Sequence, residues 1–154
     1  MSFDQKIRDL GITLPDQPAP AANYVPYSVV GNLVFVSGQI TSLNGTLKYV
    51  GKVGRDFTIE EGQEAARLCA LNILTQVKTA CGGTLDRVVK CVRLGGFVNS
   101  TDDFTDQPKV INGASNLMIE IFGDAGRHAR AAVGVNALPL GIAVEVDAIF
   151  EIKG

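Results

Sequence analysis

No run of lysine and arginine occurs anywhere in these 154 residues, and the formal net charge is −2. A protein that grips a phosphate backbone shows a basic patch, so nucleic acid is not an expected partner. No apolar stretch reaches the roughly 20 residues that span a bilayer, so no membrane role is expected. The opening residues, MSFDQKIRDLG, are polar and lack the apolar core of an export signal, which makes the cytoplasm the expected compartment. Histidine occurs once, at His128, and the three cysteines, Cys69, Cys81 and Cys91, have no CxxC spacing. A zinc site is therefore not expected, and the thiols read as buried free cysteines. Neither GxGxxG nor GxxxxGK occurs, so no phosphate loop is expected; Ser37 lies in SGQ rather than a GxSxG elbow. No flavin or pyridoxal-phosphate signature stands out.

What is present is a slightly apolar chain of single-domain size, with 46% hydrophobic and 19% charged residues. Such a chain folds without a disulfide or metal. Residues 1–10 have room for one or two helical turns. TLPDQPAPAANYVPY, with four prolines, is expected to be extended. Two β-rich runs flank Gly31-Asn32 and predict a hairpin, with Leu33–Val36 as an interior strand broken by Ser37-Gly38-Gln39. Thr46–Val50 reads as a short strand. Thr58 and Glu61 form a capping box that opens a long helix, and Cys81-Gly82-Gly83 ends it. Residues 87–98 read as a strand, with Gly95-Gly96 as a bulge or a point of close backbone approach. A second long helix is predicted over about 110–122, followed by strands at about 129–137 and 142–152. The order β-β-(β)-α-β-α-β-β predicts an α+β fold, a mixed sheet with two helices on one face. The other face would be bare in a monomer, and copies of the chain could cover it.

The segment from His128 to Ile152 carries the most chemistry. Arg130 stands among small and apolar residues, and Glu145 and Asp147 interrupt an apolar run. Alternation puts both acids on one strand face and Val144, Val146 and Ala148 on the other. Charges in apolar strands are costly unless paired or used. The structural alternative is that the acids face solvent and Arg130 makes an ion pair. The groups left for chemistry are Arg130, Glu145, Asp147, Ser37, Tyr24 and the glycine-rich strand ends.

The stretch ARAAVGVNALPLGIAVEVDA, residues 129–148, resembles the C-terminal signature of the Rid/YjgF family, also labelled endoribonuclease L-PSP. GNLVFVSGQI, residues 31–40, resembles the family's first-hairpin strand, and the likeness runs through nearly the whole chain from about Asn23. It implies a family domain over 23–154 after an N-terminal extension over 1–22. It also implies a chorismate-mutase-like fold and a homotrimer with a barrel-like core and inter-subunit clefts. The implied chemistry is cofactor-free hydrolysis of small carboxylate-bearing imines and enamines, of the 2-aminoacrylate type, to a 2-oxo acid and ammonia.

By the same resemblance, Arg130 matches the arginine that clamps the substrate carboxylate, and its planar fork suits that task. Glu145 matches the acid that handles the attacking water, with Asp147 as its rival. Tyr24 and Ser37 align with a tyrosine and a serine of the cleft. Asn112 aligns with the cleft asparagine, given an insertion around Thr105–Pro108. Gly38 and Gly134 suit backbone approach to a small ligand. Ala132 stands where the family's deaminases usually carry cysteine, which bears on substrate and rate. His128 has no family counterpart and reads as structural or solvent-facing. The competing functions are a non-catalytic binder of 2-oxo acids, an endoribonuclease as the label suggests, and a purely structural or chaperone-like trimer.

Overall fold

The computed structural model describes residues 2–17 and 23–154; the middle of the proline-rich segment lies outside the described residues. Helix α1, Phe3–Asp9, is capped by Ser2, whose hydroxyl accepts from the Gln5 N–H. It docks through Phe3, edge-on to Phe122 with ring centroids 4.8 Å apart, and through Ile7. The Asp86 carboxylate accepts from the Phe3 N–H at 2.7 Å, and the Asp4 carboxylate accepts from the Leu85 N–H at 2.9 Å. These reciprocal caps tie the first helix to the turn at Leu85–Arg87.

Strands β1, Tyr27–Val30, and β2, Leu33–Gln39, form the predicted hairpin, with Gly31 at φ 58. The SGQ triplet does not end β2. It shifts the register between Val36 and Gln39, and the strand runs on to Gln39. Such a bulge lets a strand change aim without losing its partner. The strand expected over 46–50 shrinks to a small hairpin, β3 (Ser42–Leu43) with β4 (Thr46–Leu47). Tyr49 adopts φ 53, a left-handed conformation that no strand continues through.

Helix α2, Ile59–Ala80, starts on the Thr58–Glu61 capping box and turns off at Cys81 and Gly82. Strand β5, Val88–Asn99, carries its irregularities near Lys90 and Arg93, not at Gly95-Gly96. Gly96 is instead a close approach: a Cβ there would lie 2.5 Å from Ile111 on the overlying helix. That helix, α3, spans Gln107–Phe122, starting three residues earlier than the sequence suggests. Proline is tolerated in a first helical turn, where its missing N–H costs nothing, so Pro108 does not delay the start. Strands β6, Ala129–Val135, and β7, Val144–Ile152, follow, joined through a tight turn at Pro139–Gly141.

The five-stranded sheet has the order β1-β2-β7-β5-β6, antiparallel except for β5 with β6. Helices α2 and α3 cover one face. The core lies between them and Val34, Val36, Cys91, Leu94, Val98, Val144, Val146, Ala148 and Phe150. The three cysteines are buried and unbonded to one another; burial pushes the Cys91 thiol up to about 12. Among the described residues, no helix covers the opposite face. Phe35 and Val133 point from it and are 41% and 45% exposed. Among the described residues no helix is long and apolar enough to cross a membrane, and no three His, Cys, Asp or Glu side chains cluster to hold a metal.

Candidate active site

Strand β6 lies at the sheet edge and pairs only with β5. The register Leu94↔Arg130, Gly96↔Ala132 and Val98↔Gly134 puts these three β6 residues on the helix-covered face. Arg130 therefore reaches beneath α3. Its Nη1 donates to Asn112 Oδ1 at 2.8 Å and to Ser115 Oγ at 3.1 Å. Asn112 and Ser115 are three apart on the helix and so share a face. Among the described residues, no acid pairs with Arg130. A half-buried guanidinium held through one nitrogen by neutral acceptors keeps the rest of its fork available for an anion.

The chain of bonds extends past Ser115. His128 Nε2 lies 2.8 Å from Ser115 Oγ, and His128 Nδ1 lies 2.6 Å from the Gly126 carbonyl. One proton arrangement satisfies every contact. Nδ1–H donates to the carbonyl, the serine hydroxyl donates to Nε2, and the serine oxygen accepts from Arg130. Burial lowers the His128 pKa and the nearby Arg130 charge adds to this, against the opposing pull of the Gly126 bond. The neutral imidazole is thus the resident form. Read from sequence, His128 is structural or solvent-facing; in the fold it is half-buried and orients the serine that holds Arg130. Its place two residues before Arg130 was the available signal.

Glu145 and Asp147 occupy the face without helices, opposite Phe97 and Gly95 of β5. Asp147 meets Arg93 at 3.6 Å, whereas no basic side chain pairs with Glu145 among the described residues. Burial raises the Glu145 pKa, and the like charge of Asp147 raises it further. Burial also raises that of Asp147, opposed by Arg93 and the Gly95 N–H. The bulge in β2 brings Gly38 against Glu145 so closely that a Cβ would sit 2.2 Å from its Oε2. Only glycine leaves this carboxylate its place. Ser37 Oγ donates to the Val25 carbonyl at 2.7 Å, tying down the segment next to Tyr24. Tyr24 itself is 58% exposed.

The fold thus sorts the candidate residues into two groups. Arg130 and Asn112 lie on the helix side of the edge strand. Glu145, with Gly38 and neighbouring Ser37, lies on the open side of the sheet. Strand β5 separates β6 from β7, and the sheet itself stands between the arginine and the acid.

The family model described as "YjgF/chorismate_mutase-like, putative endoribonuclease" matches residues 4–151. Protein TCP17 of Trypanosoma cruzi is 49% identical over 96% of this chain and 92% of its own length. The crystal structure of Atu1372 from Agrobacterium tumefaciens superposes with a TM-score of 0.90 at 48% identity, covering 99% of this chain and 94% of that one. A structure from Shewanella oneidensis, titled as a putative endoribonuclease, superposes at 0.94 with 39% identity, covering 99% and 100%.

Proposed function

The chain belongs to the YjgF/chorismate-mutase-like family, and from that premise we propose that it is a cofactor-free hydrolytic deaminase of small carboxylate-bearing imines and enamines. The observation that carries this reading is Arg130: a half-buried guanidinium, oriented by Asn112 and Ser115, with no acid among the described residues to neutralise it. A carboxylate of the substrate would complete its fork.

The acid and the arginine lie on opposite faces of one sheet, so a joint site takes two protomers. The exposed face carrying Phe35, Val133 and Glu145 is the surface on which a second and third copy would pack. Each cleft would then combine Arg130 and Asn112 of one protomer with Glu145, Ser37 and Tyr24 of its neighbour. An enamine first tautomerises to the 2-imino acid. Water then attacks C2, its oxygen forming the new bond while the C=N π pair moves onto nitrogen. Glu145 takes the water's proton and passes it to that nitrogen. Glu145 then carries the remaining hydroxyl proton to the same nitrogen, so that the C–N bond breaks, ammonia leaves and the C=O of the 2-oxo acid forms. A carboxyl whose pKa is raised toward neutrality suits both proton transfers.

The test is ammonia release from freshly generated 2-aminoacrylate and 2-iminopropanoate. Wild type should accelerate release, and Arg130→Ala should not. The family description also carries an endoribonuclease label. A net charge of −2 without a basic cluster speaks against RNA as the substrate, and salt-dependent RNA binding would reverse that judgement.

A further inference from the structure

Along β6, the residues that follow Arg130 on its face are Ala132 and Gly134, both small. The last of them, Gly134, also lines a cleft of about 290 Å³ at the start of α3. Its walls include Ser100, Thr101, Phe104, Gln107, Gly134 and Asn136. That volume equals roughly ten water molecules at about 30 Å³ each. The Gln107 amide donates to the Phe104 carbonyl at 2.8 Å and lies 3.4 Å from Ser100 Oγ, so its head group is held in place. Lys52 Nζ donates to the Asn136 carbonyl at 2.6 Å and to Asn99 Oδ1 at 2.8 Å, which fixes the far rim. A Cβ on Gly134 would lie 2.6 Å from the Gln107 amide nitrogen and 2.9 Å from Ser100 Oγ. The bare backbone at position 134 therefore lets the Gln107 amide and Ser100 hydroxyl lie directly against β6, where they line the cleft.

Gln107 precedes Asn112 by five residues on α3, a separation of about 8 Å at 1.5 Å per residue. A molecule whose carboxylate rests on Arg130 would need a side chain of four or five heavy atoms to reach the cleft. The lining offers neutral donors and acceptors. Its charged groups are the exposed Asp102 and, on the far rim, Lys52, whose ammonium is already engaged by Asn99 and Asn136; the two charges offset each other and leave the lining without a net charge for a second carboxylate.

The geometry points to this cleft as a side-chain subsite that selects 2-imino acids with a neutral, hydrogen-bonding chain end over the smallest imines. Gln107, Ser100 and Gly134 are its specificity-determining residues. This assignment rests on Arg130 being the carboxylate site.

The probes are the imino acids formed in situ by an amino-acid oxidase from alanine, methionine and methionine sulfoxide. The last two have chains of similar length that differ by one polar oxygen, and neither cyclises. Wild type should release ammonia from the sulfoxide-derived imine with a kcat/KM about tenfold above that for the other two. Gln107→Leu, which keeps the size of the side chain, should erase this preference while the alanine-derived rate stays within about twofold. Gly134→Ala should act in the same direction. In parallel, calorimetry should show the sulfoxide-bearing 2-oxo acid binding more tightly than pyruvate to wild type, and equally with it to Gln107→Leu. If no imine is turned over but this binding difference is present, the hydrolytic reading fails and the subsite stands. A wild type that favours the alanine-derived imine, a Gln107→Leu variant that loses all three rates in proportion, or equal binding of the two oxo acids to wild type would overturn the subsite.

Discussion

Arg130 reaches its position through a single nitrogen, so its replacements separate charge from shape. Arg130→Ala should weaken binding of pyruvate or 2-oxobutyrate by on the order of a hundredfold, because a charge-assisted bond contributes about 1.5–3 kcal/mol. Arg130→Lys should also bind poorly, since an ammonium cannot hold Asn112 and present a fork at once. Equal affinity for wild type and Arg130→Ala in a calorimetric titration would end the carboxylate-clamp role. Glu145→Gln should lower the rate of ammonia release by about 10²- to 10⁴-fold with little change in ligand affinity. Asp147 is held by Arg93 and shares the face, so Asp147→Asn in the same assay is the comparison. A silent Glu145→Gln beside an inactive Asp147→Asn would move the base to Asp147. His128 adds a pH dependence. Its folded pKa lies below 6.5, so the unfolded chain binds the proton more readily. The stability it contributes is fully present above about pH 6.5 and is lost as pH falls toward the folded value. Protonated Nε2 can no longer accept from Ser115. Affinity for 2-oxo acids should therefore fall with pH in that window, and His128→Gln should flatten the fall. An unchanged pH profile in the variant would make His128 a bystander.

At the scale of elements, α2 and α3 touch through glycine. A Cβ on Gly113 would lie 2.0 Å from the Gln63 carbonyl oxygen, a backbone atom that cannot swing aside. Gly113→Ala should push the helices apart at a cost of about 1–3 kcal/mol. For a chain of this size that lowers the melting temperature by roughly 2–12 °C. Because α3 carries Asn112 and Ser115, the same variant should also weaken 2-oxo acid binding, a coupling that an N-cap lesion would not produce. Thr58→Ala supplies that contrast: it removes a cap worth about 1 kcal/mol and should leave binding intact. Chemical denaturation of both variants, alongside calorimetry, separates the two effects. A Gly113→Ala protein as stable as wild type would mean that the helix contact yields more easily than its geometry implies.

For the whole molecule, the uncovered sheet face decides the assembly. Phe35, Val133 and the half-buried Ile149 share it with Glu145. Three copies closing on this face would bury it and unite the two groups of candidate residues. Sedimentation should report a trimer at micromolar concentration, with a melting temperature that rises with protein concentration. Phe35→Glu places a charge on that face and should shift the protein toward monomer and abolish ammonia release together. A wild type that sediments as a monomer would remove the inter-subunit site.

Local signals in the sequence were sufficient for α2, through the Thr58–Glu61 box, and for the hairpin at Gly31-Asn32. They were sufficient too for the alternation of β7, which sorts Glu145 and Asp147 from Val144, Val146 and Ala148. Each depends on residues a few positions apart. The candidate side chains were also legible as candidates, because an arginine and two acids stand out in apolar strands. Sequence did not reveal on which side of the sheet each would fall. Arg130 faces the helices because β6 pairs parallel with β5 in one register, whereas Glu145 faces away because β7 pairs antiparallel with β5 in another. A shift of one residue in either pairing would turn the side chain to the other face. The Ser37-Gly38 bulge, the Ser115–His128 relay and the cleft behind Gly134 likewise join residues from different elements. Alternation within a strand names two sets of residues; only the packing of the sheet against its helices decides which set is buried beneath them and which is left for a neighbour.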